Sequence, residues 1–185
     1  MIAGHGNLSN KMQQIEKQLQ EKISQYLAKY FQVEIEVWSQ DHSRRIDIVL
    51  VHKSDIKKEY PIGIEIKTDD RKTGSSLGQW LHQANDYTLR QFNGYGKLLI
   101  ITYPQISGKC LAEGMLMHFH NVFESGSLAL QHNVNTFLGQ FNIGELQKYQ
   151  FNDKTYLRIV FNARLIWDHR KNEFRTDNYI LSCKR

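Results

Sequence analysis

Arg45-Ile46-Asp47-Ile48-Val49-Leu50-Val51 and Gly63-Ile64-Glu65-Ile66-Lys67 read as two strands, because β-branched and apolar residues fill both runs. Ionisable side chains interrupt each one. Asp47 stands between Ile46 and Ile48, and Glu65 between Ile64 and Ile66. With a side-chain period of two, Glu65 and Lys67 share one face of their strand and Ile64 and Ile66 the other. Charges inside a buried strand are costly unless paired or held on a metal. The plain alternative is a hairpin in which Asp47 and Lys67 form a cross-strand ion pair while Glu65 meets solvent.

Working outward, residues 1–8 carry no periodic signal and read as a loose terminus. Ser9 or Asn10 caps a helix expected to reach about Phe31. Met12, Ile15, Leu19, Ile23, Tyr26, Leu27 and Tyr30 fall in one stripe, with Glu16 about 45° from its centre and Glu21 on the opposite side. Val33 to Trp38 alternates as a first strand, and Gln40 to Ser43 suits a turn. The hairpin tip falls in Lys53 to Glu59, and a polar loop, Thr68 to Ser76, follows Lys67. A second helix is expected from about Ser76 to Phe92, with Leu77, Trp80, Ala84, Tyr87 and Gln91 on one side and Gln79 and Gln83 bordering it. Gly94 and Gly96 break it, and Lys97 to Tyr103 reads as a buried strand ending at Pro104.

Asp47 on one strand and Glu65-Ile66-Lys67 on the next resemble the signature of the PD-(D/E)xK nuclease superfamily, with Ile46 where a proline is expected. Gln83-Ala84-Asn85-Asp86-Tyr87 resembles the Gln-x-x-x-Tyr motif of its RecB-type members. The resemblance implies an α/β, restriction-endonuclease-like αβββαβ core over about residues 10–104. Its mixed central sheet is flanked by helices, and a C-terminal α+β extension over about 105–185 completes a single nuclease-like domain. It implies a Mg²⁺-dependent nuclease acting on DNA, with Mn²⁺ as a substitute ion. Asp47, Glu65, Lys67, Gln83 and Tyr87 are then the catalytic candidates. Glu16, Asp47, Glu65 and the Ile66 carbonyl are the metal candidates, all hard oxygen donors suited to Mg²⁺. Lys67 would orient the attacking water or stabilise negative charge. Lys53, Lys57, Lys58, Arg71, Lys72 and Arg90 are candidates for nucleic-acid backbone contacts. An RNA-directed nuclease and a catalytically silent binding or assembly module of the same fold are the competing expectations.

Bulk properties fit a compact domain. The 185 residues are 41% hydrophobic and 23% charged, with a formal net charge of +5, a modest bias towards polyanions. No apolar run has the length of a membrane span, and no signal-peptide pattern opens the chain. Cys110 and Cys183 match no metal spacing and are expected to stay reduced, so a cytoplasmic setting is expected. A homodimer is one arrangement the resemblance allows, although no heptad pattern marks a dimer stripe. Beyond Pro104 the pattern weakens. Leu111 to Phe123 suits a helix carrying His118 and His120, whose spacing does not favour zinc. Tyr156 to Phe161 and Ala163 to Trp167 suit strands, and Ile180-Leu181 is a final apolar pair.

Overall fold

A computed structural model of the protein describes residues 5–67, 74–103, 136 and 138–183. Arg71, Lys72, Cys110 and the helix expected at Leu111 to Phe123, with His118 and His120, lie outside the described residues. The elements run α1 (His5–Leu27), β1 (Phe31–Trp38), β2 (Arg45–His52), β3 (Ile62–Ile66), α2 (Gly74–Thr88), β4 (Leu99–Tyr103), β5 (Ile143–Phe151), β6 (Lys154–Phe161), β7 (Arg164–Asp168), β8 (Glu173–Phe174) and α3 (Thr176–Cys183). The chain is α/β, and the eight strands among the described residues form one mixed sheet in sequence order. β1, β2 and β3 pair antiparallel, β3, β4 and β5 pair parallel, and β5 to β8 pair antiparallel.

Two apolar clusters, one on each face, hold the sheet between its helices. Ile23 and Leu27 of α1 are buried with Ile48, Leu50, Ile62, Ile64, Ile66 and Ile101, so the helical stripe meets a strand face of matching character. Trp80, Ala84 and Tyr87 of α2 are buried with Val37, Ile46, Val49, Ile100 and Ile143. Lys53 completes the end of α1, where its ammonium donates to the carbonyls of Ala28 (2.7 Å) and Lys29 (3.0 Å), oxygens with no partner inside the helix. No helix among the described residues is long and apolar enough to cross a membrane.

The β1–β2 ribbon turns over in the middle. Ile35 pairs with Ile48 and Val37 with Ile46 in one register, with Glu36, at φ 56°, and Asp47 between them. Ile48 packs on the α1 side, whereas Ile46 and Val37 pack on the α2 side. Strict alternation would put Ile46 and Ile48 on the same face. Glu36 in the left-handed region, unusual for a strand residue, accompanies the reversal. Gly63 accommodates it, since a Cβ there would lie 2.4 Å from Ile46 Cδ1 and 2.9 Å from Leu98 Cδ1.

Several expectations need correction. Helix begins at His5 rather than after a loose segment, and α1 stops at Leu27 and α2 at Thr88, short of Phe31 and Phe92. The apolar pair Ile180-Leu181 lies in α3; Tyr179, one residue before, is buried and donates to the Pro61 carbonyl at 2.7 Å. The C-terminal extension continues the core sheet, joined through β5, a strand the sequence reading left unassigned.

Candidate active site

Where β2 and β3 part, backbone pairing gives way to side chains. Their ladder spans Ile48↔Ile64 to Leu50↔Ile62. One step beyond, the Ile66 N–H donates at 2.7 Å to the Asp47 carboxylate (Oδ2). The Asp47 carbonyl in turn accepts a bond from Gln20 Nε2 at 2.6 Å, tying α1 to the same point. The Lys67 N–H donates to the Tyr103 carbonyl at 2.9 Å and fixes the end of β3 against β4.

A cavity of about 460 Å³ opens here. α1 lines it with Gln13, Glu16, Lys17 and Gln20, β1 and β2 with Glu36, Arg45 and Asp47, β3 and its end with Glu65, Ile66 and Lys67, and α2 with Gln83 and Tyr87. All the residues expected to be catalytic or metal-binding thus meet in one place. Glu16, the α1 carboxylate expected to look inward, is among them.

Electrostatics mark the pair Asp47 and Glu65. Glu65 is 1% exposed. Its Oε1 lies 2.5 Å from Lys67 Nζ, and its buried Oε2 has no hydrogen-bond partner among the described residues. Burial first, and the Asp47 charge second, push its carboxyl up to about 7 against the pull of Lys67. Asp47 is also raised, by burial first and by Glu16 in part, while the Ile66 N–H and Lys67 oppose the shift. Buried Glu65 and half-buried Asp47 thus both feel the Lys67 charge, and burial still outweighs it at each. The hairpin alternative does not hold: Lys67 pairs with Glu65 rather than Asp47, and Glu65 is buried.

Tyr87 and Gln83 close the α2 side. Gln83 Nε2 donates to the Tyr87 hydroxyl at 2.7 Å, and that hydroxyl donates to the Arg45 carbonyl at 3.0 Å. Burial, then the Glu65 charge, holds the Tyr87 hydroxyl well above the usual tyrosine range, so it stays protonated. It lies beside Glu65, but its single proton is engaged by Arg45.

Of the expected backbone-contacting cations, the four among the described residues lie elsewhere. Lys53, Lys57 and Lys58 follow β2, at the hairpin end remote from Asp47 and Glu65. Lys53 is engaged with α1, Lys57 is 4.0 Å from Glu59, and Lys58 lies over the Tyr95 ring. Arg90 is held by Asp41 at 2.5 Å and Asp86 at 2.9 Å. The cations at the cavity are Lys17, Arg45 and Lys67. Arg45 was missed although it precedes Asp47 by two residues, and Lys17 and Gln20 although they follow Glu16 on the same helix. Among the described residues, no three His, Cys, Asp or Glu side chains group to hold a metal ion, so Glu16 does not complete a three-carboxylate set. No family model, curated protein or solved structure matches the chain.

Proposed function

We propose that the protein is a Mg²⁺-dependent nuclease of the PD-(D/E)xK type that hydrolyses phosphodiester bonds in DNA. The observation that carries this reading is the meeting of Asp47, Glu65, Lys67, Gln83, Tyr87 and Glu16, from two helices and two strands, around one cavity. The order α1–β1–β2–β3–α2–β4, with an antiparallel β2–β3 hairpin and β4 parallel to β3, supports the restriction-endonuclease-like fold. The net charge of +5 is compatible with a polyanionic substrate.

Donor chemistry fits Mg²⁺. The Glu65 oxygen without a partner and two carboxylates with raised pKa values form a site that a divalent cation would relieve. Mg²⁺ is commonly held by one or two carboxylates and keeps several waters. Asp47 and Glu65 would hold it, with the Ile66 carbonyl and Glu16 as further oxygens. When bound, the ion would neutralise phosphate charge and lower the pKa of a coordinated water.

The protein's own groups have distinct parts. The Ile66 N–H orients the Asp47 carboxylate, and Lys67 sets Glu65 and offers an ammonium to developing negative charge. Gln83 holds the Tyr87 hydroxyl, which is positioned by Arg45 beside Glu65. The absence of a three-ligand group favours one competitor, a silent binding module. End-labelled DNA and RNA incubated with EDTA, Mg²⁺ or Mn²⁺ separate the readings. DNA should be cut with either metal and not in EDTA. DNA bound but uncut under every condition would favour the silent module, and cleavage confined to RNA would reassign the substrate.

A further inference from the structure

Trp38 ends the edge strand β1 and is 44% exposed. Its cross-strand partner is Arg45, so the two side chains share a face. The Arg45 guanidinium carbon lies 5.6 Å from the centre of the Trp38 ring, and Arg45 itself lines the acidic cavity. The exposed His42 ring stands 6.3 Å from the indole, tilted by 41°. An open aromatic surface is thus continuous, through one guanidinium, with the carboxylate pair. Asp47 follows Arg45 by two residues, roughly 7 Å of strand rise, comparable to the spacing of neighbouring nucleotides in an extended strand.

A lone exposed apolar side chain needs no explanation. An indole beside a cation at the mouth of a phosphodiester site has a specific chemical use. Every nucleobase presents a π-face, and stacking on an aromatic ring flanked by arginine is the usual basis of sequence-tolerant binding to single strands. A base inside a duplex already spends its faces on its neighbours. We infer that Trp38, with Arg45, is a stacking platform for an unpaired base of the substrate strand, so that the site prefers single-stranded nucleic acid or unpaired ends to an intact duplex. This inference rests on the nuclease reading for its ligand class. Arg45 is free enough to serve a phosphate as well, since its 3.3 Å pairing with Glu36 joins two groups that are each about half exposed.

The test measures binding by the full chain in EDTA, where nothing is cut. The probes are fluorescein-labelled oligo-dT and a labelled hairpin duplex. Trp38→Ala should weaken oligo-dT binding by about tenfold and leave duplex binding unchanged. Trp38→Phe, which keeps an aromatic face, should restore most of the loss. No loss on oligo-dT, an equal loss on both probes, or Phe behaving like Ala overturns the platform, as does a parent protein that binds neither probe. Cleavage is scored separately with Mg²⁺. Oligo-dT bound through Trp38 yet never cut sustains the platform and sinks the nuclease reading; cleavage with Trp38-independent binding does the reverse.

Discussion

Two hollows of nearly equal size flank α2, and their carboxylates live under opposite conditions. One, of about 450 Å³, is lined by Asp41, Asp86 and Arg90. There Asp86 faces Arg44 at 2.7 Å and Arg90 at 2.9 Å, and Asp41 accepts from Ser39, Ser43 and Arg90. Hydrogen bonds, chiefly from Ser39 to Asp41 and from Arg90 to Asp86, hold both carboxyls below their usual range. The other hollow holds Asp47 and Glu65, both raised, with one lysine between them. Similar residue types thus form a satisfied ion network in one place and a pair of raised carboxyls in the other. Perturbation by burial and like charge, rather than the mere presence of charge, makes the second the candidate reactive site.

The sharpest way to break this contrast is to neutralise one carboxylate in each hollow. Asp47→Asn or Glu65→Gln should abolish Mg²⁺-dependent cleavage, a loss of roughly 10³-fold or more, while thermal stability without metal holds or rises because repulsion is relieved. Stabilisation by added Mg²⁺ should vanish in the same variants. Asp86→Asn should leave cleavage intact and cost on the order of 1–3 kcal/mol, because a half-buried carboxylate loses its charge-assisted bonds to two arginines. Cleavage rates and melting curves with and without Mg²⁺ check all three, and unchanged cutting by Asp47→Asn would end the assignment.

Next in size is Lys67→Met, which keeps most of the stem and removes the ammonium. The cleavage rate should fall by about 10²-fold or more, with nucleic-acid affinity nearly unchanged because one phosphate contact among several is lost. Single-turnover rates beside equilibrium binding separate the two effects, and a variant as fast as its parent would return Lys67 to a purely structural ion pair.

The smallest effect is one of pH. Glu65 titrates near 7 in the folded chain against an ordinary 4.5, so the folded state holds this proton more tightly than the unfolded state. The stability it contributes is fully present below about pH 4.5 and is lost as pH rises through about 7. Glu65→Gln cannot titrate. Its melting temperature relative to the metal-free parent should therefore climb across that window and level off above it, by an amount on the order of 2–3 kcal/mol in stability. A difference that stays flat with pH would show that Glu65 is not raised. Asp86, whose pKa is lowered, has the opposite sign: its contribution is present at neutral pH and fades only as pH falls through its depressed pKa.

Much of the site was legible because a charge inside an apolar strand is a local signal. Asp47, Glu65 and Lys67 announce themselves by interrupting β-branched runs, and Gln83 and Tyr87 by their one-turn spacing on a helix. β5 was illegible for the converse reason. Glu145 and Gln147 are buried polar side chains within it, joined at 3.0 Å, and Gly144 weakens the pattern further, so no apolar run identifies the strand. The distance of the expected cations from the cavity has a simpler cause. Asp47 opens the first arm of the hairpin and Glu65 closes the second, so the tip bearing Lys53, Lys57 and Lys58 points away from both. Arg90 is held by Asp86 one turn earlier and also by Asp41, 49 positions earlier, and the second contact is one no local pattern contains.

Gly63 gives the interpretation of mutants an unexpected twist. It ionises nothing, yet its missing methyl leaves the space that Ile46, the chain neighbour of Asp47, occupies. A genetic screen scored only on lost activity would therefore group alanine at this position with the carboxylate variants. The two kinds of defect part on metal response: a re-aimed aspartate still carries its charge, whereas an amide does not. Silent positions of this sort define the tolerance of the site as firmly as its reactive groups, and a map of sensitive residues is wider here than a map of chemistry.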